Sequence, residues 1–212
     1  MTGLACSWAA IRHRLAMRNC LLHALLLMLL SGVSGLAADE LRLNYYMGQE
    51  ELDFSPRGTD GFDAEWDNNA RYEISAFSNL GTIWGFGIIT QRADVAVEDE
   101  NWKLEYESWA LRLYSGKAPL ANESFTWEIN GFTGFGMAKG DLSRTGGFDG
   151  GSDREFLLEY GAETAVTLNL GRTFLVGAGV TYSWSQVKLD LDGDRNVDQQ
   201  GLAYFAYAGW RF

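Results

Sequence analysis

The sequence predicts an all-β fold: an eight-stranded antiparallel transmembrane up-and-down β-barrel preceded by a cleavable signal peptide. Three observations lead to this prediction. The first 38 residues have the layout of a secretory leader, and apolar and polar residues alternate with a period of two along the rest of the chain. The polar side of this alternation also carries charges of both signs, which a water-soluble core would not tolerate.

The leader is defined by three arginines, an apolar run and a small-residue exit, in that order. Arg12, Arg14 and Arg18 precede the apolar stretch 21–30, and the small-residue stretch 31–38 follows it. This order is typical of a secretory signal. The apolar run is shorter than the roughly 20 residues that a membrane-spanning helix needs. We therefore predict cleavage after Ala37 or Ala38, giving a signal peptide over 1–38 and a barrel over 39–212, with Met17 as an alternative start.

Composition excludes several classes of function. The chain of 212 residues has a net charge of −11, and removing the leader leaves 14 basic against 28 acidic residues, a net charge of −14. A basic nucleic-acid binder is therefore not expected. Both cysteines and both histidines lie in the leader: Cys6, Cys20, His13 and His23. The exported chain consequently has no disulfide, no Cys or His zinc site and no His-dependent catalytic triad.

Alternation predicts eight strands in the exported chain. It is clearest where the apolar positions Phe156 to Leu170 alternate with polar or small ones. The predicted strands cover 40–50, 70–79, 82–93, 102–114, 123–138, 155–170, 173–188 and 200–212. Short connections at 79–81, 115–121 and 171–172 alternate with long, acidic ones at 53–67, 94–101, 139–154 and 190–199, and both prolines are predicted in connections. The fourth strand changes parity between Tyr106 and Trp109, which predicts a bulge or a register error there.

The less apolar face of these strands indicates which side faces lipid. A barrel in lipid directs its apolar side outward and fills its lumen with polar and small residues. We therefore predict an inward network of paired charges, with glycines between them that leave room for inward aromatic rings. The predicted network consists of Arg42, Arg71, Glu73, Glu128, Glu159, Glu163 and Arg211. A soluble lipocalin-like barrel with this polar face in water is the alternative.

Aromatic residues occur at the ends of the apolar face, where a membrane protein meets the lipid–water interface. Phe125, Trp127 and Phe174 each begin a strand after a short turn and predict one girdle. Tyr45, Tyr160, Tyr182 and Trp184 predict the other. The last strand continues the alternation from Leu202 to the final residue, Phe212.

The residues Tyr207-Ala208-Gly209-Trp210-Arg211-Phe212 resemble the carboxy-terminal assembly signal of Gram-negative outer-membrane barrels. With the leader and the alternation of short turns and long loops, the chain resembles the OmpA/OmpX-like outer-membrane β-barrel family over residues 39–212. The resemblance implies location in the outer membrane and insertion by the barrel assembly machinery. Tyr207, Gly209, Trp210 and Phe212 would form the recognised signal. Outer-membrane lipid and lipopolysaccharide are the implied partners, and a monomer is expected.

Some eight-stranded outer-membrane barrels modify lipid A, and the resemblance makes that alternative worth testing. Such enzymes use a catalytic histidine beside serine, because the serine hydroxyl needs a base. The exported chain has no histidine, so only Glu128, Glu159 or Glu163 could act as the base. We predict no enzymatic activity and a structural or surface-interaction role. General diffusion is not expected either, because eight strands enclose a lumen that side chains fill.

The acidic stretch 190–199 is the one candidate metal site. Its oxygen-bearing side chains are spaced two residues apart, which suits a hard cation such as Ca²⁺: Asp190, Asp192, Asp194, Asn196 and Asp198. The stretch departs from the EF-hand pattern, with Arg195 where glycine belongs and Gly201 where a bidentate glutamate belongs. An acidic hairpin tip in water is the simpler interpretation, so no cofactor is firmly expected. We also hypothesise that a divalent ion bridges the acidic loops to lipopolysaccharide phosphates. A separate hypothesis is that the loops expose four aromatic anchors: Phe54, Phe62, Trp66 and Phe148.

Overall fold

The computed structural model describes residues 38–48, 51–56, 62–79, 82–97, 102–144, 148–191 and 194–212. Within these ranges the structure describes only the backbone, and not the side chains, of residues 51–56, 62–68, 79, 95–97, 102, 144, 148–150 and 194–196. The compact unit discussed below is Ala38–Phe212. Nearly all of the predicted signal peptide lies outside the described residues, so cleavage after Ala37 or Ala38 stays a prediction.

The described residues form nine strands. They are β1 (Glu40–Met47), β2 (Glu51–Pro56), β3 (Phe62–Asn79), β4 (Ile83–Val97), β5 (Trp102–Ala121), β6 (Phe125–Arg144), β7 (Phe148–Leu170), β8 (Phe174–Asp190) and β9 (Asp194–Arg211). No helix in these ranges is long and apolar enough to cross a membrane.

The nine strands occupy eight positions in a closed antiparallel barrel. From β3 onward each strand pairs with the next, while β1 and β2 both pair with β3 on one side and β9 on the other. Along β9 the two short strands keep one register, because Met47 lies opposite Tyr204 and Glu51 lies opposite Gln200. β1 and β2 are therefore two parts of the first barrel strand, and the prediction of an eight-stranded up-and-down barrel is confirmed.

The registers also give the stagger of the barrel. A path that steps from each residue to its partner on the next strand starts at Glu51 and, after one circuit of the barrel, arrives at Leu41. The displacement along the first strand is ten residues. The path runs through Gln200, Trp184, Tyr160, Thr133, Leu113, Phe86 and Ala76. Eight strands with this stagger tilt by about 40° to the barrel axis. At this tilt about ten residues of each strand are enough to cross the hydrocarbon layer.

The outward faces of the strands form an apolar belt. Leucine, isoleucine, valine, phenylalanine, tyrosine and tryptophan side chains are exposed there around the whole circumference, from Leu43 on β1 to Trp210 on β9. Aromatic pairs lie at both edges: Tyr160 stacks on Trp184 at 5.4 Å between centroids, and Phe174 contacts Trp210 at 5.8 Å. The apolar side of the alternation therefore faces outward, as a barrel in lipid requires.

The strands are longer than the sequence predicted, chiefly at the end where the predicted loops are long. β8 ends at Asp190 and β9 begins at Asp194, so most of the predicted long loop 190–199 belongs to these two strands. Likewise, β2 and β3 cover most of the predicted loop 53–67. Phe54, Phe62, Trp66 and Phe148 therefore lie on strands rather than in loops, and their side chains are among those not described.

The predicted connection 115–121 was also wrong. β5 continues to Ala121, and the turn lies at Asn122–Ser124, where Asn122 Oδ1 accepts hydrogen bonds of 2.9 Å from the backbone N–H groups of Ser124 and Phe125. Pro119 is therefore inside a strand, at a bulge between Lys117 and Leu120. A bulge tolerates proline because its N–H is not needed for pairing. The other proline predicted in a connection, Pro56, is the last residue of β2. The turn predicted after Leu170 is present, and Gly171 adopts the positive φ of 79° that favours glycine.

The predicted irregularity in the fourth strand was wrong as well. The register of β5 with β4 and β6 is unbroken from Trp102 to Gly116. Leu104 and Tyr106 point inward and are 0% and 2% exposed, whereas Trp109 and Leu113 point outward and are 46% and 48% exposed. The strand is regular, but the side that carries its apolar residues changes along its length.

Candidate functional site: the barrel lumen

Two arginine-centred clusters lie in the lumen at the level of the belt. In the lower cluster, Arg42 on β1 donates hydrogen bonds to Glu40 at 2.6 Å and to Glu128 on β6 at 3.1 Å. Glu128 also accepts a bond of 2.8 Å from the hydroxyl of Thr167. The guanidinium of Arg42 lies 4.4 Å from the centroid of the Phe77 ring. Charge pairing and this cation–π contact together compensate for the burial of Arg42.

The upper cluster is centred on Arg112 of β5, which is completely buried. It donates two hydrogen bonds to Glu159, at 2.7 and 2.9 Å, and a third of 3.1 Å to Glu73. Glu73 also accepts hydroxyl bonds from Tyr46 at 2.8 Å and Tyr114 at 2.6 Å. One guanidinium thus connects carboxylates on β3 and β7, on opposite sides of the lumen. Such a network holds the barrel wall in one geometry.

Inward glycines make room for these groups. A Cβ atom at Gly177 would lie 2.2 Å from the Tyr207 ring, and one at Gly134 would lie 2.6 Å from the Glu159 carboxylate. Each of these glycines pairs directly with the residue whose side chain uses the space, Gly177 with Tyr207 and Gly134 with Glu159. At these positions, therefore, small and large inward residues on neighbouring strands complement one another.

Glu163 differs from the other luminal glutamates. It is 6% exposed, and its Oε1 accepts a single bond of 3.3 Å from Asn130 Nδ2. Its Oε2 is buried and has no hydrogen-bond partner, and the same is true of Asn130 Oδ1.

An apolar layer lies above the two clusters, toward the long hairpins. It is built from completely or almost completely buried side chains on β5, β6, β8 and β9, together with Leu191 at the hairpin tip: Leu104, Tyr106, Leu142, Val187, Leu189, Leu191 and Val197. The outward positions at this height are charged or polar, among them Lys103, Glu105 and Lys188. This end of the barrel therefore has the polarity of a water-soluble protein.

A small cavity separates the apolar layer from the upper cluster. Its wall includes Arg71, Gln91, Ser108, Glu159 and Gln199. The space admits on the order of one water molecule. It is too small to act as a binding site for an organic ligand.

The structure brings six of the seven predicted luminal residues into the buried interior. Arg42, Arg71, Glu73, Glu128, Glu159 and Glu163 are all at most 6% exposed. Arg211 lies at the lower rim, where its side chain is 34% exposed and bonds to Glu40. Arg112 and Glu40 are luminal residues that were not predicted from the sequence. The alternation contains a signal for the inward position of both. Arg112 lies between the outward Leu111 and Leu113, and Glu40 is two residues from Arg42 and therefore on the same face of the strand.

Four residues of the predicted assembly signal divide between the two faces of β9. Tyr207 points into the lumen, where its hydroxyl contacts Thr167 and Glu128. Gly209 packs against the backbone of Leu41. Trp210 faces outward next to Phe174, and Phe212 is 80% exposed. Their role in assembly stays a prediction.

The candidate calcium residues lie at the β8–β9 hairpin. Asp190 is opposite Asp194, and Asp198 is opposite Gln186. Asp192 is outside the described residues, and the side chains of Asp194 and Asn196 are not described. In the rest of the described chain, no three His, Cys, Asp or Glu side chains group as metal ligands do. Calcium binding therefore stays an untested prediction.

The closed wall, the outward apolar belt and the inward ion pairs define a class: an eight-stranded β-barrel of the outer-membrane type. Solved structures of this type are similar to the chain. Neisserial surface protein A matches with a TM-score of 0.50 and 13% identity, covering 82% of this chain and 96% of that one. This likeness confirms the predicted fold.

Two further solved structures have lower TM-scores. The attachment invasion locus protein Ail of Yersinia pestis matches with a TM-score of 0.45 and 17% identity, over 82% of this chain and 99% of that one. OprG from Pseudomonas aeruginosa matches with a TM-score of 0.43 and 13% identity, over 82% and 96%. No protein-family model matches the chain, and no curated protein sequence matches it significantly.

Proposed function

We propose that the chain is a small, monomeric outer-membrane protein of a Gram-negative bacterium that is exported by the predicted leader and has a structural or surface-interaction role. The observation that carries the proposal is the reversal of polarity across the wall: exposed leucine and aromatic side chains outside, buried arginine–glutamate pairs inside. Lipid stabilises such a surface, whereas water does not.

A closed lumen favours a surface role over transport. Three layers block the axis: the Arg42 cluster, the Arg112 cluster and the apolar layer around Leu104 and Leu189. An aqueous channel in this class requires many more strands, about 16. A solute would have to disrupt buried ion pairs and an apolar core to pass, so we expect no general diffusion.

The upper end of the barrel is the surface that we propose for interaction. The short turns at 122–124 and 171–173 join β5 to β6 and β7 to β8 at the opposite end, whereas the hairpins of β4–β5, β6–β7 and β8–β9 extend beyond the belt at the upper end. In outer-membrane barrels the short turns face the periplasm and the longer connections face the exterior. The extended end then projects acidic and basic side chains from the cell.

Gel mobility and conductance together test this proposal. The refolded protein should migrate differently in SDS before and after boiling, because a closed lipid-type barrel keeps its hydrogen bonds in SDS at room temperature. In planar bilayers it should produce no steady conductance. A steady open channel would contradict the closed lumen, and recovery of the protein in the periplasmic fraction would contradict the membrane location and favour a soluble barrel.

The lipid A-modifying alternative depends on Glu128, Glu159 or Glu163 acting as a base. Glu128 and Glu159 accept hydrogen bonds from Arg42 and Arg112, which favours a structural role for both. Replacing all three by glutamine should leave the lipid A composition of the host unchanged. A changed composition would support an enzyme.

Partners follow from location and remain proposals. The apolar belt would contact outer-membrane lipid and lipopolysaccharide, and the last strand would be recognised by the barrel assembly machinery. Deleting Phe212 should reduce the amount of heat-modifiable protein in the outer membrane, whereas Ala206→Leu, a change on the lipid-facing side of the same strand, should not. Equal amounts of both variants would argue against an assembly role for Phe212.

A further inference from the structure

The luminal carboxylates and arginines do not pair one to one. Of the five glutamates that are buried in the described part of the chain, four are in ion pairs with arginine: Glu40 and Glu128 with Arg42, and Glu73 and Glu159 with Arg112. Among the described residues Glu163 is in no ion pair, and its only hydrogen bond comes from the neutral amide of Asn130. One carboxyl group in the lumen therefore has no cationic partner.

The surroundings of Glu163 make an ionised side chain costly. Its Oε2 is out of reach of solvent and accepts no hydrogen bond. A buried carboxylate with no ion-pair partner and a single neutral hydrogen-bond donor is an unfavourable arrangement in a protein interior. Glu73, the strongest charge acting on Glu163, is itself negative. A proton on Glu163 removes both costs.

Other groups in the lumen do not supply the missing positive charge. Among the described residues, the other titratable and charged side chains that face the interior are Glu40, Arg42 and Tyr46 on β1, Arg71 and Glu73 on β3, Tyr106, Arg112 and Tyr114 on β5, Glu128 on β6, Glu159 on β7 and Tyr207 on β9. On β8, the residue opposite Glu163 is Thr181, which does not titrate and donates its hydroxyl to the backbone oxygen of Ala162. Arg42 and Arg112 attract the carboxyl group of Glu163 electrostatically but do not bond to it, because their N–H groups donate to other glutamates.

We propose that Glu163 is a proton-binding site of the lumen: at neutral pH its carboxyl group holds a proton, and the upper cluster is built around this neutral acid. With Glu163 neutral, the donors of Arg112 remain bonded to Glu73, Glu159 and the Tyr46 hydroxyl. Ionisation would place a second carboxylate near Glu73 and make it compete for Arg112. Glu163 is therefore the group through which alkaline conditions would reorganise the lumen.

Infrared spectroscopy of the folded protein in detergent tests the proposal directly. At neutral pH the spectrum should contain the C=O stretching band of a protonated carboxylic acid. Glu163→Gln should lose this band, because a glutamine amide has the shape of the neutral acid. Glu128→Gln is the matched control: it removes a carboxylate bonded to Arg42 and should keep the band.

Proton release on unfolding gives an independent measurement. Unfolding exposes Glu163 to water, where it ionises at neutral pH, so the wild type should release about one proton more than Glu163→Gln. Glu163→Gln should also keep the thermal midpoint of the wild type, while Glu128→Gln should lower it. The proposal is overturned if the wild type lacks the band, if Glu163→Gln retains it, or if Glu163→Gln fails to fold where Glu128→Gln folds.

Discussion

The part of the barrel inside the belt and the part above it have opposite polarity. Inside the belt, Arg112 and Glu159 are buried while Leu113 is exposed; above it, Leu104 is buried while Glu105 is exposed. All of these residues except Glu159 lie on β5, and the backbone pairing does not change between the two parts. The surrounding solvent, and not the sheet, therefore decides which residue type each face carries.

The two parts also gain stability in different ways. Above the belt, burial of apolar side chains away from water stabilises the fold. Inside the belt that driving force is absent between the wall and lipid, so packing and ion pairs in the lumen must hold the wall together. Mutations at matched positions should therefore change the free energy of unfolding by different amounts in the two parts.

Removing the central guanidinium should have the largest effect. Arg112→Met removes the ion-pair partner of the buried Glu73 and Glu159, which should cost about 3–5 kcal/mol of the free energy of unfolding. Urea titration of the protein folded in lipid vesicles measures this. The triple variant Arg112→Met, Glu73→Gln and Glu159→Gln should recover much of the lost free energy of unfolding. If it does not, Arg112 stabilises the barrel through packing alone.

Truncating a leucine should have unequal effects in the two parts of β5. Leu104→Ala opens a cavity in the apolar layer and should cost about 2–5 kcal/mol. Leu113→Ala, on the lipid-facing side of the same strand, leaves no cavity because lipid fills the space, and should cost less than about 1 kcal/mol. Equal losses for the two variants in the same titration would contradict the division into two parts.

A charge introduced on the outward face should separate the belt from the part above it. Leu113→Arg places a cation in lipid and should cost about 2–4 kcal/mol if the position is near the bilayer midplane. Glu105→Arg exchanges one solvated charge for another, so its effect should stay within about 0.5 kcal/mol. If Glu105→Arg proved as damaging as Leu113→Arg, the belt would have to extend to Glu105.

The smallest effect is expected from an ion pair above the belt. Partial burial opposes ionisation of Asp141, but hydrogen bonds from Lys139 and Ser152 outweigh this and hold its pKa below the ordinary value. The resulting stabilisation is present at neutral pH and is lost as the pH falls through the lowered pKa. Lys139→Met should remove it, by less than about 1 kcal/mol because the pair is partly exposed. A stability difference between wild type and Lys139→Met that does not shrink in acid would rule out this ion pair as its cause.

Alternation in the sequence was sufficient to predict the barrel, its strand number and the inward position of residues such as Arg42, Glu73 and Glu159. It failed where a strand passes from lipid into water. On β5 the apolar residues change sides between Tyr106 and Trp109, so the pattern suggested a bulge and concealed Arg112. For the same reason the water-exposed parts of β8 and β9 were interpreted as a loop. The pairing of specific charges across the lumen depends on the stagger, which no local pattern contains.

The seam between the first and last strands has a consequence for folding kinetics. Glu40 and Arg211 are 171 residues apart along the chain, yet they bond across this seam. Contacts between such distant residues form slowly, because a long loop must be closed before they contribute any stability. Until β9 pairs with β1, both strands have an unpaired edge that is open to other chains. Closure of the seam is therefore the step at which aggregation competes with folding. Weakening the Glu40–Arg211 contact should increase aggregation during refolding more than it lowers the stability of the finished barrel.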